Sequence, residues 1–184
     1  MATSEQRQDD GGGGRSVAVE LTAMTASWGS RFGRAGQLLN HPTTDAPAPV
    51  LHDISVRIRR NELCVVVGPV GSGKSSFLMA LLGELRPQHA PSVRVSTDQS
   101  MAYSAQDPHI LSGTVEENIL FGRAKDAKRF QRVVRACALD TDLKSFSNGY
   151  LTLVGEKGVT LSGGQKSRIA LARAAYAQAD LVLL

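Results

Sequence analysis

The chain has 184 residues and a mass of 19.6 kDa, room for one domain of ordinary size at roughly 150 residues per domain. Apolar residues at 42% and charged residues at 21% sit near soluble globular averages, which excludes wholesale disorder and a fibrous repeat. The formal charge of +4 is mild, and aromatics at 5% do not interleave with the basic residues, which favours binding a few phosphates over coating nucleic acid.

Residues 1–15, with glycine at 11–14, are polar and glycine-rich and are expected to form a flexible tail, because they lack the apolar atoms that offset the entropy of ordering. Val17, Val19 and Leu21 alternate with small or polar residues as in a half-buried strand, and Trp28 follows. Residues 29–49, with prolines at 42, 47 and 49, read as a loop insertion. Ile54, Val56 and Ile58 alternate with Ser55, Arg57 and Arg59 as a second strand. The continuously apolar run Leu63 to Val67 predicts a strand buried on both faces of a parallel sheet. Cys64 and Cys137 lie far apart with no CxxC pair and read as reduced core residues of a cytosolic protein.

Leu78, Leu81, Leu82 and Leu85 fall on one face of a helix. Val93 with Val95, and Met101 with Tyr103, suggest two short strands. Phe130, Val133, Val134 and Cys137 mark the apolar stripe of another helix, whose neighbourhood carries Lys125, Lys128, Arg129, Arg132 and Arg135 as either a docking face or a solvated one. A last helix from about Gly164 to Gln178 leads into Leu181 to Leu184, the expected start of a buried strand. These apolar runs are far short of the roughly 20 residues that cross a bilayer as a helix.

Gly68-Pro69-Val70-Gly71-Ser72-Gly73-Lys74-Ser75 fits GxxxxGK[ST] between a predicted strand and a predicted helix, where a phosphate cradle belongs. Gly71 and Gly73 place no Cβ in the way, so consecutive N–H groups can point at phosphate oxygens, and the helix N-terminus adds its own donors. Lys74 is placed to reach the β and γ phosphates and Ser75 to hold a Mg²⁺ ion bridging them. Leu161-Ser162-Gly163-Gly164-Gln165 opens the last helix as a second anion site, or Ser162 simply caps that helix.

The order of GxxxxGKS, Gln106 and LSGGQ resembles the nucleotide-binding domain of ABC transporters from about Val17 to Leu184. The phrases Glu117-Asn118-Ile119-Leu120-Phe121-Gly122, Ala136-Cys137-Ala138-Leu139 and Leu171-Ala172-Arg173-Ala174 are most similar to the first such domain of the multidrug-resistance-associated (C) subfamily. The resemblance implies an α/β fold: a P-loop NTPase core with a parallel sheet, an antiparallel β subdomain and a helical subdomain bearing the signature, spanning 16–184. It implies ATP and Mg²⁺ as cofactors. The triphosphate would lie on Gly68, Val70, Gly71, Ser72, Gly73, Lys74, Ser75 and Ser76, the metal on Ser75 and Gln106, and adenine on Trp28, whose alternative is a core tryptophan. Without its flanking motifs, Gln106 would be an ordinary exposed glutamine.

The resemblance also implies a head-to-tail dimer in which Leu161 to Gln165 serve the partner's ATP, with Ser162 and Gly164 at its γ phosphate. Gln106 to Gly122 resembles the Q-loop and the region contacted by transmembrane domains, and Val154-Gly155-Glu156-Lys157-Gly158 is similar to a segment found in exporters of the family, which implies a domain on the cytosolic face of a membrane and away from nucleic acid. In the family the metal-ordering Asp and the catalytic carboxylate come directly after the position of Leu184, and the switch histidine later still. His41, His52, His89 and His109 all precede the signature. The chain is therefore expected to be a partial domain of an ATPase that couples hydrolysis to transport, of very low turnover by itself, with an unpaired apolar edge at Leu181 to Leu184. The alternatives are a non-hydrolysing nucleotide-binding or regulatory module, and a soluble ABC ATPase.

Overall fold

The computed structural model describes residues 17–28, 48–88, 93–95, 100–156 and 159–184. The expected tail and nearly all of the insertion, along with Lys157 and Gly158, lie outside them. The chain divides into two compact units, Met1–Thr97 and Asp98–Leu184.

The first unit is built on strands β1 (Val17–Trp28) and β2 (Leu51–Arg59), paired antiparallel, with β3 (Leu85–Pro87) and β4 (Val93–Val95) also antiparallel to β1. The predicted alternation holds: Val19, Leu21 and Met24 are buried on one side, and Leu51 and Ile58 answer from β2. The ladder slips at Ala23 and Asp53, both at positive φ, and hydroxyls repair it. Ala23 N–H donates to Ser55 Oγ at 2.9 Å, and Asp53 N–H donates to Thr25 Oγ1 at 3.2 Å. Helix α1 (Lys74–Leu81) turns Phe77, Ala80 and Leu81 inward.

Three expectations fail in this unit. Leu63 to Val67 forms no strand, and Leu63 and Val67 are 87% and 83% exposed. A continuously apolar β-branched run is buried only where strands flank it, and no described strand hydrogen-bonds to this one. Cys64 is consequently exposed rather than a core residue, whereas Cys137 is buried as expected. Leu85 belongs to β3 instead of the helix, because Gly83, at φ +81°, follows the cap residue Leu82 and ends α1.

The second unit joins short strands and four helices: β5 (Met101–Tyr103), β6 (Gly113–Thr114), α2 (Val115–Leu120), α3 (Ala127–Ala136), α4 (Asp140–Ser145), β7 (Leu153–Val154), α5 (Gly163–Tyr176) and β8 (Leu181–Leu183). β5 and β8 pair in parallel, and β6 and β7 antiparallel. Leu181 to Leu184 thus begins a strand, as expected, although only Leu183 is buried. The predicted stripe of α3 is also found: Phe130, Val133 and Val134 are buried at i, i+3 and i+4 against Val115 and Ile119 of α2 and Ile169 and Tyr176 of α5. Burying each such large side chain contributes about 1.5–3 kcal/mol.

Tyr176 is fully buried; its hydroxyl donates to Ala124 O at 2.7 Å and accepts from Asp126 N–H at 2.8 Å. Among the described residues no helix is long and apolar enough to cross a membrane.

Candidate functional site

The GxxxxGKS segment leaves the exposed Leu63–Val67 run and enters α1 at Gly73, which stands at the helix N-cap with φ +88°. That left-handed conformation strains any residue with a side chain, and a Cβ at Gly73 would come within 3.2 Å of Leu51 Cδ2. Gly71, at φ +84°, turns the loop the same way. No side chain caps α1, so the amides that open the helix remain available to an anion. The Lys74 ammonium lies along the loop and donates to Gly68 O at 2.9 Å and Pro69 O at 2.8 Å. Val70 and Ser75 are exposed, as are Gly68, Gly71 and Ser72, and Ser76 is half-buried at the first turn of α1.

This backbone fits a polyphosphate: left-handed glycines, open amides and one cation lie within a single turn of chain. Among the described residues no group of three His, Cys, Asp or Glu could hold a metal. Within the first unit a Mg²⁺ ion would therefore rely on Ser75 and on the phosphates themselves. Trp28 ends β1 with 47% of its surface exposed, so it is not a core tryptophan. Ala26, two residues before it, pairs with Leu51, the residue that touches Gly73.

In the second unit Gln106 is exposed in the loop after β5. Asp107 to Ile110, Gly155, Glu156 and Val159 to Leu161 line a cleft of about 390 Å³ within this unit. At the signature, Leu161 is buried and Ser162, Gly163 and Gly164 are exposed. Ser162 caps α5 reciprocally with Gln165: Ser162 Oγ accepts from Gln165 N–H at 3.2 Å, and Gln165 Oε1 accepts from Ser162 N–H at 2.9 Å. The capping alternative is thus observed, and Gly163 and Gly164, the first two residues of the helix, have no intrahelical acceptor for their amides.

The segment is braced from below. Arg168 forks onto Asp142 of α4, with Nε donating to Oδ2 at 2.7 Å and Nη2 to Oδ1 at 2.9 Å. The Arg168 hydrogen bonds, with one from Gln165, hold the Asp142 carboxyl below its usual range, and Asp142 in turn raises Arg168.

Sequence reasoning missed this brace, and also missed Asn118 and Arg173. The buried Asn118 uses all of its amide, donating to Leu111 O and Thr114 O and accepting from Leu111 N–H and Arg173. The S-x-x-Q spacing of Ser162 and Gln165 was a readable capping box, as was T-x-x-E at Thr114 and Glu117. Arg173 carried no local signal, because its partners lie 55 and 64 residues away.

The basic residues around α3 separate in use. Lys125 pairs with Glu116 and lies over the rings of Phe130 and Tyr150, and Arg129 stacks on Tyr176 and bonds Gln178. Lys128, Arg132 and Arg135 are exposed.

A P-loop entering a helix, followed by an exposed LSGGQ cap on a helical unit, defines a nucleotide-binding domain of the ABC class. The chain belongs to the ABC transporter family, whose model matches residues 51–184. It is 50% identical to human "ATP-binding cassette sub-family C member 4" over 136 residues, which is 74% of this chain and 10% of that protein. It is 44% identical over 168 residues to the Schizosaccharomyces pombe "ATP-binding cassette transporter abc2", covering 91% of this chain and 10% of the relative. Against the Danio rerio "Cystic fibrosis transmembrane conductance regulator" it is 41% identical over 181 residues, 90% of this chain and 12% of the relative. The chain spans about a tenth of the length of the curated relatives it matches. The subfamily resemblance of the Glu117–Gly122 and Leu171–Ala174 phrases agrees with these relatives.

Proposed function

We propose that this chain is part of the ATP-binding domain of a C-subfamily ABC exporter, the first such domain of its transporter, coupling ATP binding and hydrolysis to movement of a solute across a membrane. The observation that carries this reading is the phosphate loop: left-handed Gly71 and Gly73, uncapped α1 and Lys74 in one turn, in a chain that also exposes Ser162 to Gly164.

In this reading the Gly71 to Ser75 amides and Lys74 bind the β and γ phosphates, Ser75 and Gln106 orient Mg²⁺, and Trp28 stacks on the base. Bound Mg²⁺ neutralises charge that develops on the phosphates. Ser162 and Gly164 meet the γ phosphate of a second nucleotide-binding domain in a head-to-tail dimer, and the cleft lined by Asp107–Ile110 and Val159–Leu161 receives a cytosolic element of the transmembrane domains.

Lys74→Ala in the transporter carrying this chain tests the reading. Charge-assisted hydrogen bonds contribute about 1.5–3 kcal/mol each, so ATP affinity should fall about 10- to 100-fold in a nucleotide titration. Unchanged affinity overturns the phosphate loop as the site. Tight binding by the parent protein with no phosphate release, under conditions where its partner domain is present, would favour a module that holds ATP without turnover.

A further inference from the structure

Within the second unit, one side chain joins two segments to which the proposed function gives different tasks. Arg173 lies on α5, the helix opened by the signature, and its guanidinium faces the segment after Gln106. Nε donates to Asn118 O at 2.8 Å, Nη2 to Asn118 Oδ1 at 2.9 Å and Nη1 to His109 O at 2.9 Å. The same group lies over the Phe121 ring, 4.7 Å from its centroid. Asn118 is 1% exposed and passes the attachment on: it donates to Leu111 O at 2.9 Å and accepts from Leu111 N–H at 2.9 Å. Burial lowers the Arg173 pKa from its usual value, a cost of desolvation that plain packing with leucine or methionine would avoid.

We propose that Arg173 is a positioning residue that makes the segment from His109 to Phe121 and helix α5 one rigid body, so that a load on the cleft lined by Asp107 to Ile110 reaches the signature rather than being absorbed in the loop. This rests on the transporter reading above. The geometry supplies the reason: three hydrogen bonds from one planar fork, two of them to backbone carbonyls, fix both distance and orientation, which a single contact leaves free. Coupling of this kind is reciprocal, so nucleotide engaged at the signature must shift the cleft segment by the same free energy. Reciprocity lets ATP serve as the probe without knowledge of the transported solute.

The test is amide hydrogen exchange on the transporter carrying this chain, with and without saturating Mg-ATP and vanadate, for the wild type, Arg173→Gln and Arg173→Lys. In the wild type ATP slows exchange both in 162–168 and in 109–121, the latter by about fivefold or more, the low end of common coupling energies. In Arg173→Gln the ATP affinity and the protection of 162–168 persist, while ATP-dependent protection of 109–121 is lost. Arg173→Lys, which keeps the charge but not the fork, retains part of it.

ATP-dependent protection of both segments in Arg173→Gln, equal to wild type, overturns the inference. So does loss of protection in both segments in parallel with loss of melting temperature, which marks a purely structural role. If Arg173→Gln does not accumulate, the Lys variant decides by the same criterion. A wild type protected by ATP at 162–168 and not at 109–121 overturns the coupling and leaves the function standing, whereas no ATP-dependent protection anywhere overturns the function and the inference with it.

Discussion

Tyr176→Phe removes one oxygen from the centre of the helical unit. The ring stays, with its edge contact to Phe130 at 6.4 Å between centroids and the Arg129 guanidinium stacked on it, so the apolar burial is unchanged. What is lost is the pair of hydrogen bonds that hold the entry to α3: Ala124 O loses its donor and Asp126 N–H its acceptor. Each typical bond contributes about 1 kcal/mol net. The two together give a destabilisation of about 2 kcal/mol, which for a chain of this size lowers the melting midpoint by roughly 4–8 °C.

The assay is thermal unfolding followed by circular dichroism, with Tyr150→Phe as the control. Tyr150 is 43% exposed and shares the same aromatic cluster, so losing its hydroxyl should stay within about 0.5 kcal/mol. Equal midpoints for the two variants would refute the argument that the buried hydroxyl, rather than the ring, anchors residues 124–126.

Three other outcomes are expected. A maleimide added to the native chain labels Cys64, which is exposed, and spares Cys137, whose burial raises its thiol pKa; two labels per native chain would contradict the buried position of Cys137. The Asp142 carboxyl is depressed below 3.8 by Arg168, so its contribution to stability is present above that value and is lost as pH falls through the lower folded pKa. Asp142→Asn should therefore flatten the acid limb of a stability profile taken between about pH 5 and pH 2, and an unchanged limb would remove the brace from the account. Ser162→Arg places a bulky cation over the exposed signature cap and should abolish ATP-driven dimers in light scattering while leaving ATP affinity within about twofold. Normal dimers would count against the sandwich.

Where local chemistry decides the outcome, the structure was readable in advance. The stripe Phe130, Val133, Val134 packs as its spacing requires, the alternation from Val17 and from Ile54 makes β1 and β2, and Gly71 and Gly73 take the left-handed turns expected of glycine. The run Leu63–Val67 was misread because its strand character depends on neighbours, and none of the described strands pairs with it. Cys64 followed that run out of the core. The Arg168–Asp142 fork and the Arg173–Asn118 contacts join residues 26 and 55 positions apart, a separation at which no periodicity or capping rule operates. The proposal of a second anion site at Leu161 to Gln165 rests on the order of motifs, since Ser162 by itself makes an ordinary helix cap.

The two carbonyl bonds of Lys74 bear on how the cradle would release what it binds. The Lys74 ammonium has three N–H donors, two of them already on Gly68 O and Pro69 O, so beyond a first bond to a phosphate oxygen any further one would exchange a carbonyl for it rather than add to the total. The affinity forgone on entry returns on departure, because the leaving anion is replaced by carbonyls already in reach. Such a loop is suited to repeated filling and emptying, with tightness of hold sacrificed for ease of exit.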